Sequence, residues 1–159
     1  MKVRDVMNTR PIAVQMTDTV GDASKAMRAN KISGMPVLDG ENVVGVVSES
    51  DLLKLLSVEE EEGSLWLPSP FEIFEVPFRD LVKWERMQAG IENISQKKIR
   101  EVMSRSIHEI GPDETVEEAA AIMTRHKINR LPVVEDGRLV GIITRGDIIS
   151  GLGTRHEEG

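Results

Sequence analysis

Apolar residues recur at helical spacing over Val20, Ala23 and Met27, and again over Val116, Ala119, Ala120 and Met123. Each stretch follows a threonine placed to cap it. Thr115-Val-Glu-Glu118 is a capping box, in which hydroxyl and carboxylate satisfy N–H groups left without helical partners, and Thr19-Val-Gly-Asp22 is a weaker version. Two apolar runs of strand length come next. They are broken by Asp39-Gly40 in one case and Asp136-Gly137 in the other, each a tight-turn signal. A last helix is expected after Ser48 and after Thr144, and a short strand ahead of each first helix, around Ile12-Ala-Val and around Ile110. The pattern predicts β-α-β-β-α, twice.

The two copies are one sequence repeated. An offset of 96 aligns residues 1–57 with 97–153 without a gap, and 16 of the 57 positions are identical. Two copies are too few for a solenoid, and a unit of this size is marginal alone. The expected fold class is therefore α+β: two β-α-β-β-α repeats packed about a pseudo-two-fold axis. The repeats are expected at 1–57 and 97–153, with an insert at 58–96 and a tail at 154–159.

Charge and aromatic content set the insert apart. Residues 58–96 hold three basic and nine acidic side chains, against seven and seven in 1–57 and ten and eleven in 97–153 plus the tail. All five aromatics, Trp66, Phe71, Phe74, Phe78 and Trp84, lie there. A helix is expected from Pro77 to about Gly90, and its aromatic face suits either packing on the repeats or association with a partner. The net charge of −7 disfavours a nucleic-acid partner. No run of 18 apolar residues predicts a membrane span, and the absence of cysteine suits a cytoplasmic protein.

The chemistry that recurs is "GVVSESD" at 45–51 and "GIITRGD" at 141–147. Ser48-x-x-Asp51 and Thr144-x-x-Asp147 suit helix capping. Glu would cap as well, however, and both copies carry Asp, at a strand-to-helix junction where α/β layers commonly hold ligands. A carboxylate there can accept hydrogen bonds from a ribose diol, with the neighbouring hydroxyl assisting. Val46 and Ile142 offer apolar walls for a base, and Ile12, Met35 and Leu131 could add others. Arg130 is the best cation for a phosphate; its counterpart is Gly34, so the two sites should differ.

These residues resemble a known family. The doubled G-h-h-[ST]-x-x-D, the I-x-x-[ML]-P-V strands and the V-M openings are similar to a tandem pair of cystathionine-β-synthase-type (CBS) domains, the Bateman module. The resemblance covers both repeats and not the insert. It implies two clefts that bind adenine derivatives: AMP, ADP, ATP, S-adenosylmethionine or methylthioadenosine. One cleft would hold Val46, Ser48 and Asp51 with Asn129, Arg130 and Leu131, and His108 near the base. The other would hold Ile142, Thr144 and Asp147 with Ile12, Ser33, Gly34 and Met35. With Gly34 in place of a basic residue, a polyphosphate is not expected in the second.

His108, His126 and His156 have no metal-ligand spacing, and no nucleophile elbow, phosphate loop or zinc-protease motif occurs. The expected protein is a non-enzymatic regulatory module without a catalytic cofactor or metal. It would sense an adenosyl ligand, form a homodimer and signal to a protein partner. The rival reading is an interaction protein with vestigial clefts, associating through its insert.

Overall fold

The computed structural model describes residues 1–63 and 90–154, the side chains of 58–63 excepted. Residues 77–89 of the helix expected from Pro77 to about Gly90, its aromatics and the C-terminal tail beyond 154 lie outside the described residues, and residues 90–96 are helical. The fold is mixed α+β, as the pattern predicted. In chain order the elements are α1 (Val3–Val6), β1 (Val14–Gln15), α2 (Val20–Asn30), β2 (Gly34–Asp39), β3 (Asn42–Ser48) and α3 (Glu49–Gly63). They continue with α4 (Ile99–Val102), α5 (Val116–His126), β4 (Arg130–Glu135), β5 (Arg138–Thr144) and α6 (Arg145–Thr154).

The helix caps form as the sequence implies. Thr19 Oγ1 accepts from the Asp22 N–H at 3.2 Å while an Asp22 oxygen accepts from the Thr19 N–H at 3.0 Å. Thr115 and Glu118 close the same box at 3.2 and 2.9 Å. Both helices end on a lysine in the left-handed region, Lys31 at φ 52° and Lys127 at φ 54°, where glycine or asparagine is usual.

A five-stranded sheet runs β1-β2-β3-β5-β4. β1 is parallel to β2 through Val14–Val37 and Gln15–Leu38, and β4 is antiparallel to β5 from Arg130–Thr144 to Glu135–Arg138. The β4–β5 turn is Asp136-Gly137, with φ of 52° and 79°. Positive φ at both central residues is what a type I′ hairpin turn requires. In the first hairpin the turn is Gly40-Glu41, one residue later than Asp39-Gly40, and only Gly40 has positive φ (64°). The strand expected around Ile12 begins later, at Val14. Ile110 makes only an isolated parallel bridge to Val133, because Gly111 and Pro112 follow at once and proline has no N–H to donate.

The compact units do not follow the repeat boundaries. One unit takes Met1–Gln15, Pro36–Val46 and Ser104–Gly159; the other takes Met16–Met35 and Val47–Met103. The opening segment of each repeat thus serves the body of the other. In the first unit Val3 is fully buried in a core with Ile110, Val116, Ala119, Met123, Leu131, Val133, Ile143 and Ile148. Its N–H donates to Glu114 O at 2.9 Å. In the second unit Ile99, the counterpart of Val3, is also fully buried. Its N–H donates to Asp18 O at 2.8 Å, and Val20 N–H donates to Lys97 O at 2.9 Å. Among the described residues of that unit, Val20, Ala23, Met27, Met35, Val47 and Ile94 are the other buried apolar ones.

Candidate ligand-binding site

Each S/T-x-x-D motif lies where a long strand passes directly into a helix, β3 into α3 and β5 into α6. In the second unit Asp51 Oδ2 accepts from Ser48 N–H at 2.9 Å and from Ser48 Oγ at 3.0 Å, and Ser48 Oγ accepts from Asp51 N–H at 3.3 Å. In the first unit Asp147 Oδ2 accepts from Thr144 N–H at 2.8 Å and from Thr144 Oγ1 at 2.9 Å, with the return bond at 3.2 Å. Both are complete capping boxes, so the capping role of these residues is real. It occupies only one carboxylate oxygen. Oδ1 of Asp51 and of Asp147 makes no hydrogen bond among the described residues, and both side chains are half-buried.

The flanking backbone holds each motif in place. Glu49 N–H donates to Ser33 O, and Arg145 N–H donates to Asn129 O, each at 2.9 Å. Within the first unit this brings Asn129 and Arg130, at the start of β4, beside Thr144; Arg130 Nε also donates to Asn129 Oδ1 at 3.3 Å. Within the second unit it brings Ser33 and Gly34 beside Ser48. A Cβ on Gly34 would lie 2.9 Å from Val47 O and 3.4 Å from Ser48 Cα, so this position admits no side chain without movement of the backbone.

The strand residue two before each hydroxyl is pinned by the opening segment. Val46 and Ser104 exchange hydrogen bonds at 3.0 and 2.9 Å, and Asn8 and Ile142 exchange theirs at 2.9 and 3.0 Å. Asn8 and Ser104 directly follow the V-M pairs, and nothing in the local sequence pattern signals this clamp. Val46 and Ile142 are half-buried and Ile12 is 36% exposed. Met35 and Leu131 are 1% and 0% exposed, and Leu131 belongs to the core of its unit.

His108 is stacked on His126, with ring centroids 3.7 Å apart and 19° between the planes. Lost hydration, then the charges of His108 and Arg125, hold His126 below the usual 6.5. Among the described residues no group of three or more His, Asp or Glu could hold a metal ion, and no helix is long and apolar enough to cross a membrane.

The CBS domain family matches residues 3–58 and 99–153, and the chain belongs to that family. It is 40% identical over 154 residues to an uncharacterized protein of Methanocaldococcus jannaschii, covering 96% of this chain and 91% of the relative. The chain spans only 14% of another relative, the A-adding tRNA nucleotidyltransferase of Aquifex aeolicus, at 30% identity over 153 residues. Among solved structures, the CBS-pair protein CBSX2 from Arabidopsis thaliana superposes with a TM-score of 0.73 at 28% identity, over 98% of this chain and 96% of that one. CBSX2 has also been solved in complex with AMP, with a TM-score of 0.70 at 28% identity over 98% of both chains.

Proposed function

We propose that this protein is a regulatory module that binds adenine nucleotides, AMP foremost, and passes the bound state to a protein partner. The observation that carries the reading is the pair of strand-to-helix junctions. Each Asp gives one oxygen to its own cap and keeps Oδ1 open to accept from a ribose hydroxyl. The AMP complex of CBSX2 supports the choice of ligand. One site would use Ser48 and Asp51 for ribose, Val46 and His108 for the base, and Asn129, Arg130 and Leu131, with Arg130 on the phosphate. The other would use Thr144 and Asp147 for ribose, with Ile142, Ile12, Ser33, Gly34 and Met35. Met35 and Leu131, being buried, would contribute through their backbone.

The module would act without catalysis, in the cytoplasm. It would do so as a homodimer, for which Leu53 and Ile149, each 64% exposed at equivalent positions of α3 and α6, give apolar anchors. Those same exposed residues favour a second reading, an interaction protein whose capping boxes are complete without any ligand. A thermal-shift panel of AMP, ADP, ATP, S-adenosylmethionine, methylthioadenosine and guanosine and cytidine nucleotides separates the two. Ligand at 100 times its Kd stabilises by about 2.7 kcal/mol. That is roughly 5–10 °C for a chain of this size. A flat panel would leave the interaction reading standing.

A further inference from the structure

By the offset of 96, His108 and His126 correspond to Ile12 and Asn30. The first repeat has no titratable ring at either place, and Asn30 Nδ2 donates to Ala26 O at 2.8 Å, so the fold of the repeat does not require the histidine pair. The segment that carries His108 is anchored at both ends. Ser104 exchanges hydrogen bonds with Val46, while Ile110 N–H donates to Pro132 O at 3.1 Å and Ile110 O accepts from Val134 N–H at 2.9 Å. Between these anchors residues 105–109 make no backbone hydrogen bond among the described residues, and Arg105, Ser106 and Glu109 are exposed. His108 ties this span to the body by stacking on His126, the last residue of α5. Neither imidazole makes a hydrogen bond or ion pair among the described residues. Lost hydration first, then the charges of His108 on the span and of Arg125 on α5, disfavour a proton on His126; Glu109 and Lys127 adjoin the pair in sequence.

We infer that the stack is a proton-operated latch, which holds residues 105–109 against the end of α5 while at most one ring is charged and releases them when acid protonates both. A neutral ring accepts a neutral or a charged ring on its face, whereas two imidazolium rings with centroids 3.7 Å apart repel each other. The two protons are taken up in steps that belong to the pair. The closed stack binds the second proton more weakly than separated histidines do, so release falls below pH 6.5. The released span joins the Val46 clamp to the outer edge of β4, and the latch operates whether or not a nucleotide binds.

The test is backbone NMR relaxation on the full chain at pH 7.5 and pH 5.0. Order parameters over 105–109 should be about 0.85 at the higher pH and below about 0.6 at the lower, with Ser104 and Ile110 unchanged. His126→Asn, which copies the first repeat, should give the low values at both pH values. His108→Phe keeps a ring on His126 and leaves one titratable group, so order should persist at both. The latch would be overturned by order parameters over 105–109 that do not change with pH in the parent, or by a pH response that survives in either variant. Loss of order at pH 5.0 that is as large at Ser104 and Ile110 as between them would overturn it equally, because acid would then be loosening the unit and not the stack.

Discussion

Capping and ribose binding make opposite demands on Asp51 and Asp147, and a single methylene separates them. Thr115 and Glu118 close the same box as Ser48 and Asp51, with Glu118 Oε2 accepting from Thr115 N–H at 2.9 Å and from Thr115 Oγ1 at 3.1 Å. Asp51→Glu therefore keeps the cap, and folding stability should change by less than about 0.5 kcal/mol. Asp51→Ala removes the cap and should cost about 0.5–2 kcal/mol. At this chain length that is a fall of roughly 1–8 °C in Tm. For the ligand the longer side chain moves the free oxygen away from the diol. Loss of charge-assisted hydrogen bonds costs about 1.5–3 kcal/mol, or roughly 10- to 150-fold in AMP affinity. The assay is thermal melting without ligand, paired with calorimetry for AMP, on Asp51→Glu, Asp147→Glu and the double variant. A double variant that melts like the parent and binds AMP as tightly would show that these carboxylates only cap their helices.

Three further outcomes are expected. Gly141→Ala sets a Cβ 2.8 Å from Asn8 O and 2.8 Å from Met7 Sδ, so it should destabilise by about 1–3 kcal/mol. Hydrogen exchange should quicken at the Asn8 and Ile142 amides first. Because His126 titrates below 6.5 when folded, the unfolded chain binds its proton more tightly, and stability is lost as pH falls through 6.5. Melting at pH 7.5 and 5.5 should show a smaller acid-side loss for His126→Gln than for the parent, and equal losses would contradict the stacked arrangement. Leu53→Lys with Ile149→Lys, exposed in the single chain, should shift the sedimentation coefficient to that of a monomer, and Tm should become independent of protein concentration.

What could be read from the sequence was local. The Thr-x-x-Glu and Thr-x-x-Asp boxes follow from spacing alone, and the paired apolar runs mark the strands. The doubled motif located both strand-to-helix junctions to the residue. What escaped depended on distant partners. Val3 and Ile99 read as the openings of their own repeats, yet each is buried in the unit formed mainly by the other repeat, because an apolar residue in a short helix carries no sign of which core accepts it. The stacking of His108 on His126 joins a loop to a helix end and has no sequence signal. Lys31 and Lys127 occupy left-handed positions that propensity assigns to glycine. The candidate site itself was half legible: the hydroxyl and carboxylate stood out, whereas the Val46–Ser104 and Asn8–Ile142 clamps did not.

The central claim is that Asp51 and Asp147 read a ribose diol, and its most direct measurement compares AMP with 2′,3′-dideoxyadenosine monophosphate by calorimetry on the parent chain. Base and phosphate are the same in both ligands, so only the hydroxyls differ. The account predicts that AMP binds roughly 10- to 150-fold tighter, and that the advantage disappears in the Asp51→Glu, Asp147→Glu double variant. Equal affinity of the parent for the two ligands would contradict it.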